Sequence, residues 1–251
     1  MAKEYLAKTK AYISPPYVYA LPLRRWLRER GYVVAINRPV DTIKTILSNN
    51  RWLGLVPLAS IITNRNLKIC PGPMIYSRSE TKSVIIVSAK YVDLNKCKKI
   101  AVTAETRTSI QYLRYVSLVK KLDLKYIHSK ETNVFQLLSL APCALILADE
   151  ALRARRYRLK IVADIGLLVR ETLGISPVYA VTATKANSKC NDDLEITYLR
   201  PSPSDIELAS YITGLDKDEI IDYYETIQYG YDPSLLSRAI EVLEKAVMEQ
   251  T

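Results

Sequence analysis

The sequence contains little glycine and almost no histidine. Seven glycines and one histidine, His128, occur in 251 residues. It has no G-x-G-x-x-G or Walker sequence, so the usual glycine-rich phosphate loops are excluded. It also has no G-x-S-x-G elbow and no Cys-His-Asp set that would pair a nucleophile with a general base. We therefore expect no nucleotide cofactor.

Closely spaced cysteines and long apolar runs are also missing. Cys70, Cys97, Cys143 and Cys190 are far apart and form no C-x-x-C pair, so no metal site is expected. We interpret them as buried free thiols, with disulfides as the alternative for a hyperthermophilic protein, which the content of Ile, Tyr, Lys, Arg and Glu keeps open. No apolar run approaches the roughly 20 residues of a membrane-spanning helix. The charged start, MAKEYLAKTK, is unlike a signal peptide, so we expect a cytoplasmic protein with no membrane partner.

Positive charge, in contrast, is abundant. The 36 Lys and Arg residues exceed the 26 Asp and Glu residues by ten, which favours anionic partners from carboxylates to nucleic acid. The basic groups are Arg24, Arg25, Arg28 and Arg30, and Arg153, Arg155, Arg156, Arg158 and Lys160. Because no RNA-binding signature or series of stacking aromatics accompanies them, we interpret both groups as solvated faces and expect no nucleic-acid partner.

Strand-like and helix-like segments alternate along the chain, which predicts an α/β fold with mostly parallel strands. The predicted strands are Leu6–Ile13, Val33–Asn37, Leu53–Val56, Ser83–Ser88, Ile100–Thr103, Ala144–Leu147, Ile161–Ala163 and Val178–Thr182. The predicted helices are Leu23–Arg30, Asp41–Ser48, Leu58–Asn64, Thr108–Leu122, Asn133–Leu140 and Gly166–Leu173, then a helical tail of Ser204–Thr213, Asp216–Gln228 and Pro233–Gln250. Asp41 and Asp216 are predicted N-caps, and Gly31 and Gly174 are predicted helix stops.

Two proline- and serine-containing segments, Cys70–Ser77 and Tyr198–Ser204, interrupt the alternation and are predicted to be connectors or irregular extended segments. The basic segment around His128 is predicted to be an exposed connection. A chain that leaves one lobe near residue 80 and returns near residue 181 would place residues 81–180 in one lobe. Residues 1–80 and 181–251 would then form the other. The two crossings would act as a hinge.

The most informative segment is Lys98–Gln111, in which a short apolar strand runs into a helix through polar residues. These are Glu105, Thr106, Arg107, Thr108 and Ser109. A helix that starts after a strand presents free backbone N–H groups, which suits a carboxylate or phosphate. Arg107 adds a bidentate donor. The alternative is structural: Thr106 or Thr108 caps the helix and Arg107 pairs with an acid.

Two further strand ends carry polar residues. Ser83 stands at the start of a buried strand, and open α/β folds bind ligands beside strand ends. It equally suits a turn. Asp149 and Glu150 follow a buried strand and would supply a general base, although capping the next helix is the simpler function.

Five segments resemble, in order and spacing, the motifs of the menaquinone-biosynthesis chorismate dehydratase family. They are GLVPLASI (54–61), KSVIIVS (82–88), IAVTAETRTS (100–109), LILADEALR (145–153) and GISPVYA (174–180), with YVYALPL (17–23) and, more weakly, TIQYGYD (226–232) at the ends. The resemblance implies a two-lobed type-2 periplasmic-binding-protein-like fold with a ligand cleft between the lobes and no cofactor. It also implies dehydration of chorismate to 3-enolpyruvylbenzoate in the futalosine route to menaquinone. A sister family of this fold acts later in that route.

The resemblance also implies roles for individual residues. Ser83, Thr108, Ser109 and Arg107 would bind carboxylates of a small anionic ligand such as chorismate, with Thr106 and Asp149 beside them. Glu105 or Glu150 would remove the proton, unless the substrate's own carboxylate does so.

The sequence departs from the family at three places. Tyr19 stands where the family commonly has an active-site asparagine, an acidic residue is replaced in the Trp52–Leu53 segment, and the tryptophan-containing helix is altered around Leu168–Thr172. The alternative function is therefore a non-catalytic binding protein for a small carboxylate. Nucleic-acid binding is a third hypothesis, supported by net charge alone.

Overall fold

The computed structural model describes residues 10–90, 92–157 and 159–249. Its strands are β1 (Ala11–Ser14), β2 (Val33–Ile36), β3 (Trp52–Pro57), β4 (Leu67–Tyr76), β5 (Val84–Ser88), β6 (Lys99–Thr103), β7 (Lys125–Ser129), β8 (Cys143–Leu147), β9 (Lys160–Asp164) and β10 (Val178–Lys185). Its α-helices are α1 (Leu21–Glu29), α2 (Pro39–Ser48), α3 (Leu58–Ile62), α4 (Arg107–Val119), α5 (Val134–Leu140), α6 (Ala148–Arg156), α7 (Ile165–Leu173), α8 (Pro203–Thr213), α9 (Lys217–Thr226) and α10 (Pro233–Met248). Residues 6–9 of the first predicted strand, Arg158 and the predicted helix end at residue 250 lie outside the described residues.

The strands form two five-stranded sheets with the same topology, β2-β1-β3-β10-β4 and β7-β6-β8-β5-β9. In each sheet the first three strands are parallel, and the next two pairings are antiparallel. Four of the five strands in each sheet therefore run in the same direction and only β10 or β5 is reversed, so the prediction of mostly parallel strands is confirmed. β5 and β10 are the strands that follow a crossing from the other sheet, so neither is joined to its neighbours by the βαβ crossover that parallel pairing requires.

β7 was predicted to be a connection, and the part of β4 from Cys70 onward was predicted to be a connector or an irregular extended segment. Each lies at the edge of its sheet. Pro71 and Pro73 are tolerated in β4 because an edge strand does not need every backbone N–H for pairing, and the register shifts along the β4–β10 pair. β7 contains His128, which is exposed, among polar residues. Edge strands often carry charged and polar residues, such as Lys125 and Ser129 here. Their sequences therefore lack the apolar pattern of central strands.

The helix boundaries follow local chemistry. Gly174 ends α7 with φ of +69°, and Gly31, which follows α1, has φ of +76°, as expected of glycines after helices. Asp216 and Glu219 form a capping box at α9. Asp41 is not the cap of α2, because the helix already begins at Pro39 and places Asp41 in the first turn. The fixed φ of proline suits this first position.

The four cysteines form two disulfides, so the interpretation as free thiols was wrong. Cys70 of β4 is bonded to Cys190, and Cys97 is bonded to Cys143 of β8, with Cα–Cα distances of 5.4 and 5.8 Å. The partners are 120 and 46 residues apart in sequence. Only the sheet pairing brings such distant cysteines together. Within the described ranges, no helix combines the length and apolar character needed to cross a membrane.

The C-terminal helices pack over the junction between the sheets. Leu235 and Leu243 of α10 belong to the same apolar cluster as Ile100 of β6 and Val181 of β10. Tyr223 of α9 packs in a second cluster with Tyr12 of β1. The helical tail therefore contacts the elements around both sheets.

Candidate functional site

A cavity lies where the carboxyl ends of the parallel strands from the two sheets meet. Its wall includes Tyr17 and Tyr19 after β1, Pro57 at the end of β3, Glu105 after β6 and Ala148 after β8. The space open to the centres of water molecules is about 80 Å³, well above the roughly 10–15 Å³ that a single water requires. Ligands of open α/β folds bind at such strand ends. The location and size suit a small organic molecule.

Hydroxyl groups from three predicted residues line the cavity. Ser83, Thr108 and Ser109 are all buried, and the last two lie in the first turn of α4. The hydroxyl of Thr108 accepts a hydrogen bond from the backbone N–H of Ala59, 3.3 Å away. The carbonyl of Ser83 accepts one from the N–H of Ala148. The hydroxyls and the positive end of the α4 dipole provide hydrogen-bond donors and a positive potential on this side of the cavity.

Among the described residues, Glu105 is the only carboxylate in the wall of this cavity. No lysine or arginine of the described residues lines it. One oxygen of Glu105 accepts a short hydrogen bond from the hydroxyl of Tyr17. The other lies 3.2 Å from Nε of Arg38. Both partners come from the first-sheet side, whereas Glu105 follows β6 of the second sheet. The carboxylate thus joins residues from the two sides of the cavity.

Tyr19 is half-buried in the cavity wall. Its ring lies 5.6 Å from that of Tyr17, centroid to centroid, and its carbonyl accepts a 2.6 Å hydrogen bond from the hydroxyl of Tyr229. Burial, and next the charge of Asp149, raises the pKa of the Tyr19 phenol. The group is therefore neutral at ordinary pH and acts as a donor or acceptor of a hydrogen bond.

The remaining predicted residues lie outside this cavity. Asp149 and Glu150 line a neighbouring one. Asp149 accepts a 2.9 Å hydrogen bond from the N–H of Val18, and burial raises the pKa of its carboxyl group. Both oxygens of Glu150 have partners, the N–H of Val134 at 2.6 Å and Nε of Arg153 at 3.4 Å.

Thr106 and Arg107 are also away from the cavity. Thr106 donates to the carbonyl of Thr103, and Arg107 is exposed at the start of α4. A helix start turns successive residues through about 100° each. Thr108 and Ser109 therefore face the cavity while Arg107 points to another side, a difference that the motif alone did not indicate.

Arg24 is buried, so its assignment to a solvated face was wrong. Its guanidinium donates to the carbonyls of Pro15 and Tyr17, at 3.1 and 3.4 Å, and burial lowers its pKa. Since Pro15 and Tyr17 line the cavity, Arg24 holds that wall segment from behind. Its neighbour Arg25 pairs instead with Asp205.

Four tyrosines in the cavity wall were not predicted: Tyr17, Tyr76, Tyr179 and Tyr223. Tyr179 lies within the GISPVYA segment and Tyr223 in the helical tail. Nothing in the local sequence distinguishes them from the other tyrosines, of which the chain has 18. Among the described residues, no group of three His, Cys, Asp or Glu side chains has the arrangement of a metal site.

The segment from Ser77 to Ser83, which forms one wall, is fixed to α7 by Asp164. This carboxylate accepts hydrogen bonds from the N–H groups of Thr81, Lys82 and Gly166. It also accepts one from the hydroxyl of Thr81. Gly166 permits the close approach, because a Cβ there would lie 2.3 Å from the carbonyl oxygen of Ser79.

We expect Gly166→Ala to destabilise the protein by about 1–3 kcal/mol through overpacking. At an exposed position inside a helix, the same change would stabilise the protein by about 1 kcal/mol. The sign of the change in unfolding free energy therefore shows whether Gly166 is closely packed. Urea denaturation measures it, with Glu171→Ala, at an exposed position of the same helix, as the control. An increase in stability for Gly166→Ala would contradict the packing described for this wall.

Two sheets of identical topology with a cavity at their strand ends define a periplasmic-binding-protein-like protein. The periplasmic aliphatic sulphonate binding protein of Escherichia coli aligns with a TM-score of 0.63 at 11% identity, over 97% of this chain and 87% of that chain. The chain belongs to the menaquinone biosynthesis family, whose model matches residues 14–202. Membership supports a role in menaquinone biosynthesis.

Other solved structures show the same fold. A structural-genomics protein of Archaeoglobus fulgidus has a TM-score of 0.65 at 12% identity, covering 97% of this chain and 98% of its own. The alkanesulfonate-binding protein of Xanthomonas axonopodis pv. citri, solved with MOPS, has a TM-score of 0.67 at 11% identity, with coverages of 96% and 93%. No curated protein matches the sequence significantly.

Proposed function

We propose that the protein binds chorismate in the cavity and removes water from it to give 3-enolpyruvylbenzoate. The observation that carries this proposal is the cavity wall, which combines buried hydroxyls, an apolar lining and a single carboxylate, Glu105. Family membership supports the pathway. We also infer that the reaction takes place in the cytoplasm, as the sequence predicts.

The wall suits the chemistry of this elimination. The hydroxyls of Ser83, Thr108 and Ser109 would hold the carboxylates of the substrate, helped by the N-terminus of α4. The reaction breaks one C–H bond and the C–O bond to the ring hydroxyl, and the proton and hydroxide leave as water. Because the ring becomes aromatic, no oxidant or cofactor is required. The protein has to position the substrate and hydrogen-bond the departing hydroxyl.

Of the two candidate bases, Glu105 is better placed than Glu150. Glu105 lines the cavity, whereas both oxygens of Glu150 are bound by groups outside it. Glu105 also has partners: Tyr17, which lines the same cavity, and Arg38, which lines the neighbouring one. A base must reach within hydrogen-bond distance of the proton that it removes. The substrate's own carboxylate is the alternative base.

We infer that the chain forms two lobes, residues 81–180 and residues 1–80 with 181–251, that close on the ligand. The distribution of strands supports this division, since β5–β9 form one sheet and β1–β4 with β10 form the other. The chain crosses between the sheets before β5 and before β10. The bond from Val18 to Asp149 and the pairing of Tyr17 with Glu105 would hold the closed state.

A second candidate function is binding of a small anion without turnover. Tyr19, a bulky phenol in the cavity wall, favours it. Two structurally similar proteins are named as sulfonate-binding proteins, and a sulfonate resembles a carboxylate in charge and in its acceptor oxygens.

Incubation of the purified protein with chorismate, followed by chromatography and mass spectrometry, tests the proposal. Formation of 3-enolpyruvylbenzoate above the rate in buffer supports it. Calorimetry on the same sample measures binding. Binding of chorismate without product would favour the second function, and neither binding nor product would contradict both for this ligand.

We expect Tyr19→Asn to raise dehydratase turnover about tenfold, the effect of one hydrogen bond of about 1.4 kcal/mol gained in the transition state. The amide is smaller than the phenol and has separate donor and acceptor ends. Tyr198→Asn, at an exposed tyrosine, is the matched control. If Tyr19→Asn abolishes the turnover of an efficient wild-type protein, Tyr19 is a working part of the site and not an impairment.

A further inference from the structure

Two phenol hydroxyls in the cavity wall are buried without a hydrogen-bond partner. Among the described residues, five buried side-chain oxygens lack a partner, and those of Tyr179 and Tyr223 belong to cavity-lining residues. Tyr223 is only 1% exposed. Ser83 lies near Tyr223 and Ser77 lies near Tyr179, and each lowers the pKa of its tyrosine as a weak hydrogen-bond partner would. Neither pair, however, has the distance and angles of a hydrogen bond.

Other buried tyrosines of this chain do have partners. The hydroxyl of Tyr12 lies 2.9 Å from that of Thr182, and Tyr112 donates to the carbonyl of Val178 at 3.2 Å. Tyr224 donates to the carbonyl of Val18 at 2.8 Å. A buried hydroxyl without a partner is unfavourable. The two exceptions at the cavity therefore indicate that their partner is a ligand.

The chemistry of the wall limits what this partner is. Burial raises the pKa of both phenols well above the usual value, so each hydroxyl is a neutral donor that requires an acceptor oxygen. The two groups have different neighbours and so meet the ligand at different points. Between the polar groups, Leu55, Ile75 and Val84 present buried apolar surface, which suits a flat hydrocarbon ring.

We propose that Tyr179 and Tyr223 are ligand-binding residues whose hydroxyls donate hydrogen bonds to acceptor oxygens of a ring-bearing carboxylic acid. The proposal rests on the proposed function in taking this cavity as the substrate site. It extends that function by assigning two donors from β10 and α9, outside the strand-end motifs. It also explains why two buried hydroxyls without a protein partner are kept in the cavity wall at a cost in stability.

The test uses Tyr179→Phe and Tyr223→Phe, which remove only the hydroxyls, with Tyr12→Phe as the control because its buried hydroxyl already has a partner. The probes are chorismate and benzoate, titrated by calorimetry. Each cavity variant is expected to lose about tenfold in affinity for chorismate. Without ligand, each should melt about 2–4 °C higher than the wild-type protein. Tyr12→Phe should melt lower and retain affinity.

The two readouts separate this proposal from the proposed function. If benzoate binds without chorismate turnover, and the cavity variants weaken benzoate binding, the dehydratase function fails while the binding role stands. Unchanged affinity of both cavity variants for both probes would overturn the binding role. A lower melting temperature of the cavity variants, like that of Tyr12→Phe, would also overturn the binding role, because their hydroxyls would then have partners within the protein. Failure of the wild-type protein to bind either probe would also overturn it.

Discussion

Replacing Cys70 and Cys190 by serine is expected to lower the free energy of unfolding by about 5 kcal/mol, because the bond closes a loop of 120 residues. The reason is entropic in the loop-closure account: without the bond, the unfolded chain gains conformations that the cross-link forbids. The bond joins edge strand β4 to the segment after β10. Guanidinium denaturation of the oxidised protein and the double variant measures the difference.

The second disulfide provides an internal comparison. Cys97 and Cys143 are 46 residues apart, so their replacement should cost about 4 kcal/mol, slightly less than the longer loop. Thiol titration of unreduced, denatured protein is the control. Because both disulfides together use all four cysteines, no thiol should react. Four reactive thiols would contradict the disulfides, and the predicted stability losses would then have no basis.

Replacing Glu105 by glutamine is expected to lower chorismate turnover about 100-fold if this carboxylate removes the proton. Glutamine keeps the size of the side chain but cannot take up the proton. It would also weaken the contacts to Tyr17 and Arg38, because hydrogen bonds to a charged group are stronger than those to a neutral one. Steady-state kinetics with chorismate measures the effect on kcat and KM.

Two further variants make the Glu105 result specific. Glu150→Gln tests the other candidate base, which lines the neighbouring cavity, and Glu131→Gln, at an exposed position, is the control. A drop of less than threefold for Glu105→Gln, with turnover intact in the wild-type protein, would assign proton removal to the substrate's own carboxylate. A larger loss for Glu150→Gln than for Glu105→Gln would reverse the choice of base.

The sequence predicted most of the central strands and helices, because these carry a clear apolar period. The end of β6 and the start of α4 were predicted within one residue, so the positions of Thr108 and Ser109 followed. The family motifs also gave the fold, which the comparisons confirm. Edge strands β4 and β7 escaped prediction because prolines and charges there give no such period.

The predictions of site residues also succeeded where they depended on local sequence and failed where they depended on packing. Ser83, Glu105, Thr108 and Ser109 were predicted from strand ends and helix starts, which are local features, and they line the cavity. Arg107 was predicted by the same motif, but it is exposed. Whether a residue near a helix start faces inward depends on what packs against that helix. The sequence around it does not contain this information.

The sequence by itself determined the alternation of elements, the strand-end hydroxyls and the family, because each depends on neighbouring residues or on ordered motifs. Tertiary structure alone decided the two disulfides, the burial of Arg24 and the meeting of Tyr17 with Glu105, since their partners are distant in the chain. It also decided that Tyr179 and Tyr223 bury unpaired hydroxyls at the cavity. Burial and hydrogen-bond satisfaction are properties of packed neighbours, and the packing of two sheets and a helical tail selects those neighbours.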